Sequence, residues 1–425
     1  WSAEKGFAQA VEMCNGQGLC RKLGEGIMCP SFIATRDERD TTRARANSLR
    51  AVISGRLAVE TLTSEDMHRV YDLCIGCKAC RRECPSGVDV AKMKIEFLAH
   101  YHAAYGMLIR DRVFGYIHEL SSIASYIPSL ANFATGSQIS GWFLAQLGIH
   151  SSRSLPRLAG ETFTGWFYNR KSASHKSSQG KVIYFDDTWV SFYYPEVGKA
   201  AVKLLESAGF DVILVPQRVC CGRPMLSKGM VELARSRARR NAALLGPYAR
   251  RGIPIVGTEP SCILTFRDEY QDLLPGNDDA KIVAENSFLL EEFLLKLYKN
   301  GKLNIAWKSF GPQVLFHGHC HQRAIVMNEP SLEILRLSGC PVRESGAGCC
   351  GMAGSFGYEK EHYEVSKAIG EDRLFPLIRQ ASPETVIAVS GISCRQQVEH
   401  FTGRCPQHIA EVLASQIDEG STKLE

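Results

Sequence analysis

Two hydrophobic rhythms divide this chain. Between residues 91 and 170, apolar side chains recur at spacings of three and four: Tyr101, Tyr105, Leu108 and Ile109, then Phe114, Ile117, Leu120 and Ile123. That period predicts a succession of short helices. Trp142, Phe143, Leu147, Phe163, Trp166 and Phe167 add apolar bulk, which either closes a helical core or faces a membrane surface or another subunit. The polar stretch 171–180 reads as a linker. Beyond it the rhythm changes. Short apolar runs at 182–185, 212–215, 253–256, 314–316 and 386–389 read as buried strands of parallel sheets. Helices alternate with them, such as 194–208, which Gly209 stops.

Upstream of residue 91 the segments between cysteines are helical by pattern. Residues 3–13 predict a helix. The run Arg36 to Arg50 alternates charge and continues through Val52, Ile53 and Leu57 at helical spacing. It is either a solvated joining helix or one whose arginines shape the field at the cysteines. Ser64 is placed to cap the next helix.

With 425 residues the chain has room for two or three domains. A net charge of +5 is too weak to indicate nucleic acid. Sixteen cysteines in a chain of this length do not suggest a secreted disulfide scaffold. No apolar run reaches the roughly 18 residues of a spanning helix. Expected, then, is a cytoplasmic protein, peripheral at most at the inner face of a membrane. Trp1 falls near the start of a predicted helix, so a piece of a longer polypeptide is expected.

The cysteines sharpen this picture. Cys74, Cys77, Cys80 and Cys84-Pro85 have the spacing of a bacterial ferredoxin half-site, in which three thiolates bind one cluster and the fourth serves another. The second half-site lies upstream: Cys14, Cys20 and Cys29-Pro30, with Gln17 where a middle cysteine would stand. The crossing rule assigns Cys74, Cys77, Cys80 and Cys29 to a 4Fe–4S cluster. It leaves Cys14, Cys20 and Cys84 for a 3Fe–4S cluster, or a 4Fe–4S cluster with a non-thiolate fourth ligand. Lys78, Arg81 and Arg82 are expected to raise the cluster potential.

In the second half, Cys220-Cys221-Gly222 is repeated as Cys349-Cys350-Gly351, and Cys262 as Cys394. These parallel offsets predict an internal duplication, with thiols just past strand C-termini. Cys320, Cys349, Cys350 and Cys394 suffice for a further iron–sulfur centre. Cys220, Cys221 and Cys262 lack a fourth thiol, with Asp186, Asp187 or Thr188 in its place. They form either a weaker site or part of a shared one; redox-active thiols and zinc are the alternatives. His317, His319 and His321 are either ligands, proton acceptors or loop hydrogen-bonders. Cys340 and Cys405 are expected to be buried and inert. The fold class is mixed: an α-helical two-cluster ferredoxin domain (1–104), a helical connector and linker (105–180), then a duplicated α/β cysteine-rich domain (181–300 and 301–425).

This order of motifs resembles the iron–sulfur half of fused FAD/iron–sulfur D-2-hydroxyacid dehydrogenases, of the D-2-hydroxyglutarate and D-lactate type. It also resembles glycolate oxidase iron–sulfur subunits and the Cys-Cys-Gly domains of heterodisulfide reductase. The resemblance implies electron transfer from FAD, held on a fused domain or partner and not on this chain, to a quinone or other carrier. A heterodisulfide or quinone reductase subunit and a non-enzymatic redox docking subunit are the alternatives. Ser261-Cys262 and Ser393-Cys394 lack the closing Cys-x-x-Cys of heterodisulfide reductase, which weighs against disulfide reduction.

Overall fold

Among the described residues the second half holds eight short strands in two sheets, every neighbouring pair parallel. The structure, a computed structural model, describes residues 1, 3–170 and 178–419; residues 171–177 of the expected linker lie outside them. The first sheet holds β1 (Gly180–Tyr184), β2 (Phe210–Ile213), β3 (Ile255–Gly257) and β4 (Ser287–Leu289) in the order β2-β1-β3-β4. The second holds β5 (Val314–His317), β6 (Val342–Glu344), β7 (Val386–Val389) and β8 (Gln407–His408) in the order β6-β5-β7-β8. The identical order is the duplication expressed as topology. β4, β6 and β8 have no counterpart among the apolar runs read from the sequence, because β6 and β8 are largely polar and β4 runs straight into the helix Leu290–Lys299.

Side chains alternate across each strand. Val182 and Tyr184 of β1 join Val314 and Phe316 of β5 in one core shared by both sheets, closed by the helices Pro195–Ser207 and Ile409–Ser415. Ile183 and Ile255 turn the other way, against the helix Val231–Ala249. Leu315 and Ile387 pack on Phe375 and Ile378. Each such buried side chain contributes about 1.5–3 kcal/mol, so the shared core holds the two sheets together.

The N-terminal part is helical. The helices Thr42–Ile53, Glu65–Asp72 and Val90–Tyr105 enclose Leu49, Tyr71, Met93 and Phe97, with Tyr71 stacked on Phe97 at 5.0 Å. Ser64 Oγ accepts the Met67 N–H and caps the second of them. The first helix, Phe7–Glu12, is shorter than the pattern predicts. This core runs on into the second sheet's domain through Cys320, Cys349 and Ile369.

Between the two parts lie the helices Ile109–Gly115, Ile117–Ala124, Pro128–Gly136 and Gln138–Gln146. They leave Ile109, Ile123, Tyr126, Phe133, Trp142 and Phe143 exposed. Among the described residues no helix is long and apolar enough to cross a membrane.

Candidate metal centres

Cys29, Cys74, Cys77 and Cys80 line one small cavity together with Arg45. The loop folds there because Gly76 and Lys78 both adopt the left-handed conformation, at φ +63° and +61°, before the short helix Ala79–Glu83. Arg45 is fully buried. Its Nη1 donates to Cys29 Sγ at 3.5 Å, its Nη2 to Ser31 Oγ at 3.0 Å and its Nε to the Val70 carbonyl at 3.0 Å. Burial opposes its charge, yet the neighbouring Cys74 and Cys29 thiols hold its pKa above the ordinary arginine value. Burial also pushes the Cys77 and Cys80 thiols far up, and nearby thiols add to it. Such thiols ionise when a cation shares the site. All sixteen cysteines are free of disulfides. Four of them on one cavity suit an iron–sulfur cluster.

Cys14 and Cys20 are buried in the same core, and Cys84 packs against it. The Arg43 N–H donates to Cys20 Sγ at 3.4 Å, and Arg50 Nη2 to the Cys14 carbonyl at 2.6 Å. A Cβ on Gly87, just past Cys84-Pro85, would sit 3.6 Å from Met13, so the Cys84 turn lies against the Cys14 segment. Glu83 ties the half-sites together: its carboxylate accepts the N–H groups of Ile27 (2.7 Å) and Met28 (3.0 Å), next to Cys29. Gln17 is exposed, in a turn whose N–H binds Asn15 Oδ1.

In the second half the thiols fall into two series whose members act on one another's ionisation: Cys220, Cys221 and Cys262 in the first, and Cys320, Cys349, Cys350 and Cys394 in the second. Each Cys-Cys pair is followed by a glycine at φ +93° (Gly222) or +91° (Gly351); at Gly351 a Cβ would strike the Ser366 carbonyl oxygen at 2.1 Å. The helix following β1 begins at Thr188 after its cap Asp187, and that following β5 begins at Cys320 after its cap His319. Thr188 therefore stands where the second repeat has Cys320, and its Oγ1 pairs with His118 Nδ1 at 3.0 Å.

The three histidines are buried and bonded within the protein. His317 Nδ1 pairs with Ser345 Oγ at 3.1 Å, His319 Nδ1 accepts the His321 N–H at 3.2 Å, and His321 Nε2 meets the Gly76 carbonyl at 3.0 Å. Burial holds all three pKa values down, that of His317 to about 3. One expectation changes: Cys405 is exposed, whereas Cys340 is buried as expected. Beside the thiols, Lys78 pairs with Asp268 and Glu269, and Arg81 with Asp268.

The two halves meet at a cavity of about 440 Å³, lined by Cys74 from one side and Cys220, Cys262 and Cys320 from the other. The Cys77 thiol also feels the Cys320 and Cys349 thiols. Ferredoxin-type and repeated thiols thus share one neighbourhood. The cavity's remaining wall is mostly apolar, with Leu108, Phe114, Ile117 and Leu120 from the connector. Its polar groups include Asp72, Lys228, Glu359 and His362, none of which the sequence singled out; the cluster Glu359, Glu361, His362 was the available signal.

Residues 13–89 match the 4Fe-4S dicluster domain family, and residues 182–267 and 314–399 each match the cysteine-rich domain family. The chain carries one dicluster domain and two cysteine-rich domains. It is an iron–sulfur electron-transfer protein related to flavin dehydrogenases. This dicluster protein is 29% identical over 335 residues to one of the subunits of the anaerobic glycerol-3-phosphate dehydrogenase of Escherichia coli, covering 78% of this chain and 82% of that one. It is 26% identical to D-2-hydroxyglutarate dehydrogenase of Haemophilus influenzae, over 94% of this chain but 43% of the relative. It is 24% identical to the probable glycolate oxidase iron-sulfur subunit of Bacillus subtilis, over 91% of this chain and 90% of the relative.

Proposed function

We propose that the dicluster protein is the electron-transfer part of a flavin-dependent D-2-hydroxyacid dehydrogenase, of the D-2-hydroxyglutarate or D-lactate type, and passes electrons from reduced FAD to a quinone-class carrier. FAD belongs to a fused domain or partner. Cys29, Cys74, Cys77 and Cys80 would hold a 4Fe–4S cluster. Cys14, Cys20 and Cys84 would hold a 3Fe–4S or 4Fe–4S cluster. Cys320, Cys349, Cys350 and Cys394, with Cys220, Cys221 and Cys262 beside them, would hold a further centre. When bound, such clusters accept and release electrons singly. The domains would follow residues 1–104, 105–180, 181–300 and 301–425.

The observation behind the electron-carrier reading is the 440 Å³ cavity, where Cys74 and the repeated thiols share a mostly apolar pocket. A hydrophobic ring with a few polar groups suits such a wall. Leu108 and Leu120 line the cavity and are themselves exposed, at 62% and 43%. They stand among the exposed apolar side chains of the connector, a face fit for a membrane surface from which a lipid-soluble carrier enters. The hydroxyacid assignment rests on the match to D-2-hydroxyglutarate dehydrogenase along 94% of this chain.

A second reading has its own support. Alignment over 82% of the glycerol-3-phosphate dehydrogenase subunit fits a separate subunit serving a glycerol-3-phosphate dehydrogenase. One experiment separates the two. The cluster-loaded protein is purified with its flavoprotein, and D-2-hydroxyglutarate, D-lactate or sn-glycerol-3-phosphate is added without oxygen. Bleaching of the iron–sulfur absorbance by a D-2-hydroxyacid is expected. Bleaching by sn-glycerol-3-phosphate alone would transfer the assignment to the second reading.

A further inference from the structure

The charged wall of the cavity is built around His362. Its Nε2 lies 3.0 Å from Asp72 Oδ1 and its Nδ1 3.0 Å from Glu359 Oε2, and its ring stacks on Phe356 at 4.2 Å. Glu359 is also held by Lys228 at 2.6 Å, and Lys228 by Asp111 at 2.7 Å. Arg110 reaches Glu359 at 3.4 Å and pairs with Glu361 as well. Arg110 and Lys228 thus pair with Glu359, Glu361 and Asp111, Lys94 stands beside Asp72, and the imidazole between Asp72 and Glu359 supplies a further positive charge when protonated. A metal ion at Glu359, Glu361 and His362 would have to displace Lys228 and Arg110 from Glu359, which argues against a metal there. Asp72 stands two residues before Cys74, so this wall adjoins the ferredoxin-type thiols.

We infer that His362 is the proton store for reduction of the carrier bound in the cavity, an inference that rests on the quinone-class reading above. A quinone becomes a quinol by taking two electrons and two protons. When bound, the clusters would supply the two electrons singly, and reduced flavin would resupply them. One proton leaves the His362 imidazolium, which lines the cavity, and the second comes from water. His362 then regains a proton from water by way of the half-exposed Glu361 side of the wall.

The electrostatics agree with this assignment. Burial opposes the charge on His362, but its bonds to Asp72 and Glu359 outweigh burial and raise its pKa above the ordinary histidine value. The other groups facing this network are His68 and Lys94 from the N-terminal domain, Arg110 and Asp111 from the connector, and Lys228 from the first repeat. Glu359 is held far below the carboxylate range, so it stays an acceptor and does not compete for the proton.

The test uses the cluster-loaded protein, reduced with dithionite and freed of excess reductant. It is mixed with menadione, which needs protons, or with ferricyanide, which takes an electron alone. In H362Q, iron content and the EPR spectra are expected to match wild type. Menadione reduction should slow about 100-fold, the lower end of general-acid effects, while ferricyanide reduction is unchanged. In wild type the menadione rate should fall as pH rises through the raised His362 pKa, and in H362Q that limb should vanish. In EPR-monitored titrations above neutral pH, the wild-type potential should drop with pH and that of H362Q should stay flat. Equal slowing with both acceptors, or an unchanged menadione rate, would overturn the inference while the quinone-class reading stands. Failure of wild type to reduce menadione at all would overturn both. Should H362Q load less iron, H362N is measured in its place against the same two acceptors.

Discussion

Arg45 shows how a single buried side chain can set the properties of a cluster site. It has no solvent exposure, it bonds Cys29 Sγ, and its counter-ion Asp40 is 3.5 Å away. A positive charge held against cluster sulfurs stabilises the reduced, more negative state. Arg45→Gln should therefore lower the midpoint potential of the cluster at the Cys74 run, read by EPR-monitored redox titration. An unchanged or raised potential would contradict it. Gln17 works in the opposite sense, through what it does not supply. Q17C would offer a fourth thiolate between Cys14 and Cys20, so the EPR signal expected of an oxidised 3Fe–4S cluster should disappear. Glu291 lies apart from the thiols. Burial raises its pKa to about 7, against which Ser331 Oγ donates to it at 3.2 Å. The folded state thus binds this proton more tightly than the unfolded chain. Stability is greatest below the ordinary glutamate value and declines as pH rises toward 7. E291Q should flatten that decline and stabilise the protein above pH 7 by up to about 3 kcal/mol, measured by denaturant unfolding at several pH values.

At the scale of elements, the two sheets place their thiol series at equivalent strand ends, yet they are not equal. The second series has four members. The first ends early because Thr188 replaces the fourth cysteine and pairs with His118. Cys349→Ser breaks the longer series at its second link and should cost the cysteine-rich centre its iron, while both ferredoxin-type clusters remain. Cys221→Ser should cost less iron; equal losses would mean that the two series hold one inseparable centre. The strands β2, β3, β5 and β7, which lead to Cys220, Cys262, Cys320 and Cys394, were legible in the sequence as short apolar runs. So was the duplication, from the spacing of the Cys-Cys-Gly triplets. The short strands β4, β6 and β8 were not: β6 and β8 are largely polar, and β4 runs straight into the apolar helix Leu290–Lys299. Arg45 was legible only as one of several arginines in a charged run. Its singular role depends on burial, which spacing does not encode. His362 stayed hidden for a related reason: its partner Asp72 lies 290 residues away in sequence.

The whole molecule is joined where the ferredoxin loop meets the first repeat. Lys78 follows Cys77 and is 4% exposed, and it pairs with Asp268 and Glu269, while Arg81 also takes Asp268 and Arg223 takes Glu269. This inter-domain latch holds the loop of Cys77, whose thiol feels those of Cys320 and Cys349, so the same loop also sets the distance between the ferredoxin-type and the repeated thiols. Its acidic side is tuned for the task. Burial opposes ionisation of Asp268, but Lys78 and Arg81 together bring its pKa down to about 2. The latch contributes fully above the ordinary carboxylate range and is lost as pH falls toward about 2. D268N removes one acid and leaves Lys78 and Arg81 partly uncompensated. Breaking a buried pair this way costs about 3 kcal/mol, which denaturant unfolding near neutral pH would show. The same excess positive charge next to Cys77 should raise the midpoint potential of the adjoining cluster, the effect that Lys78 and Arg81 are prevented from exerting while Asp268 is ionised. Loss of stability together with a raised potential is the expected pair of results. A destabilised variant whose potential did not move would show that the latch is mechanical alone.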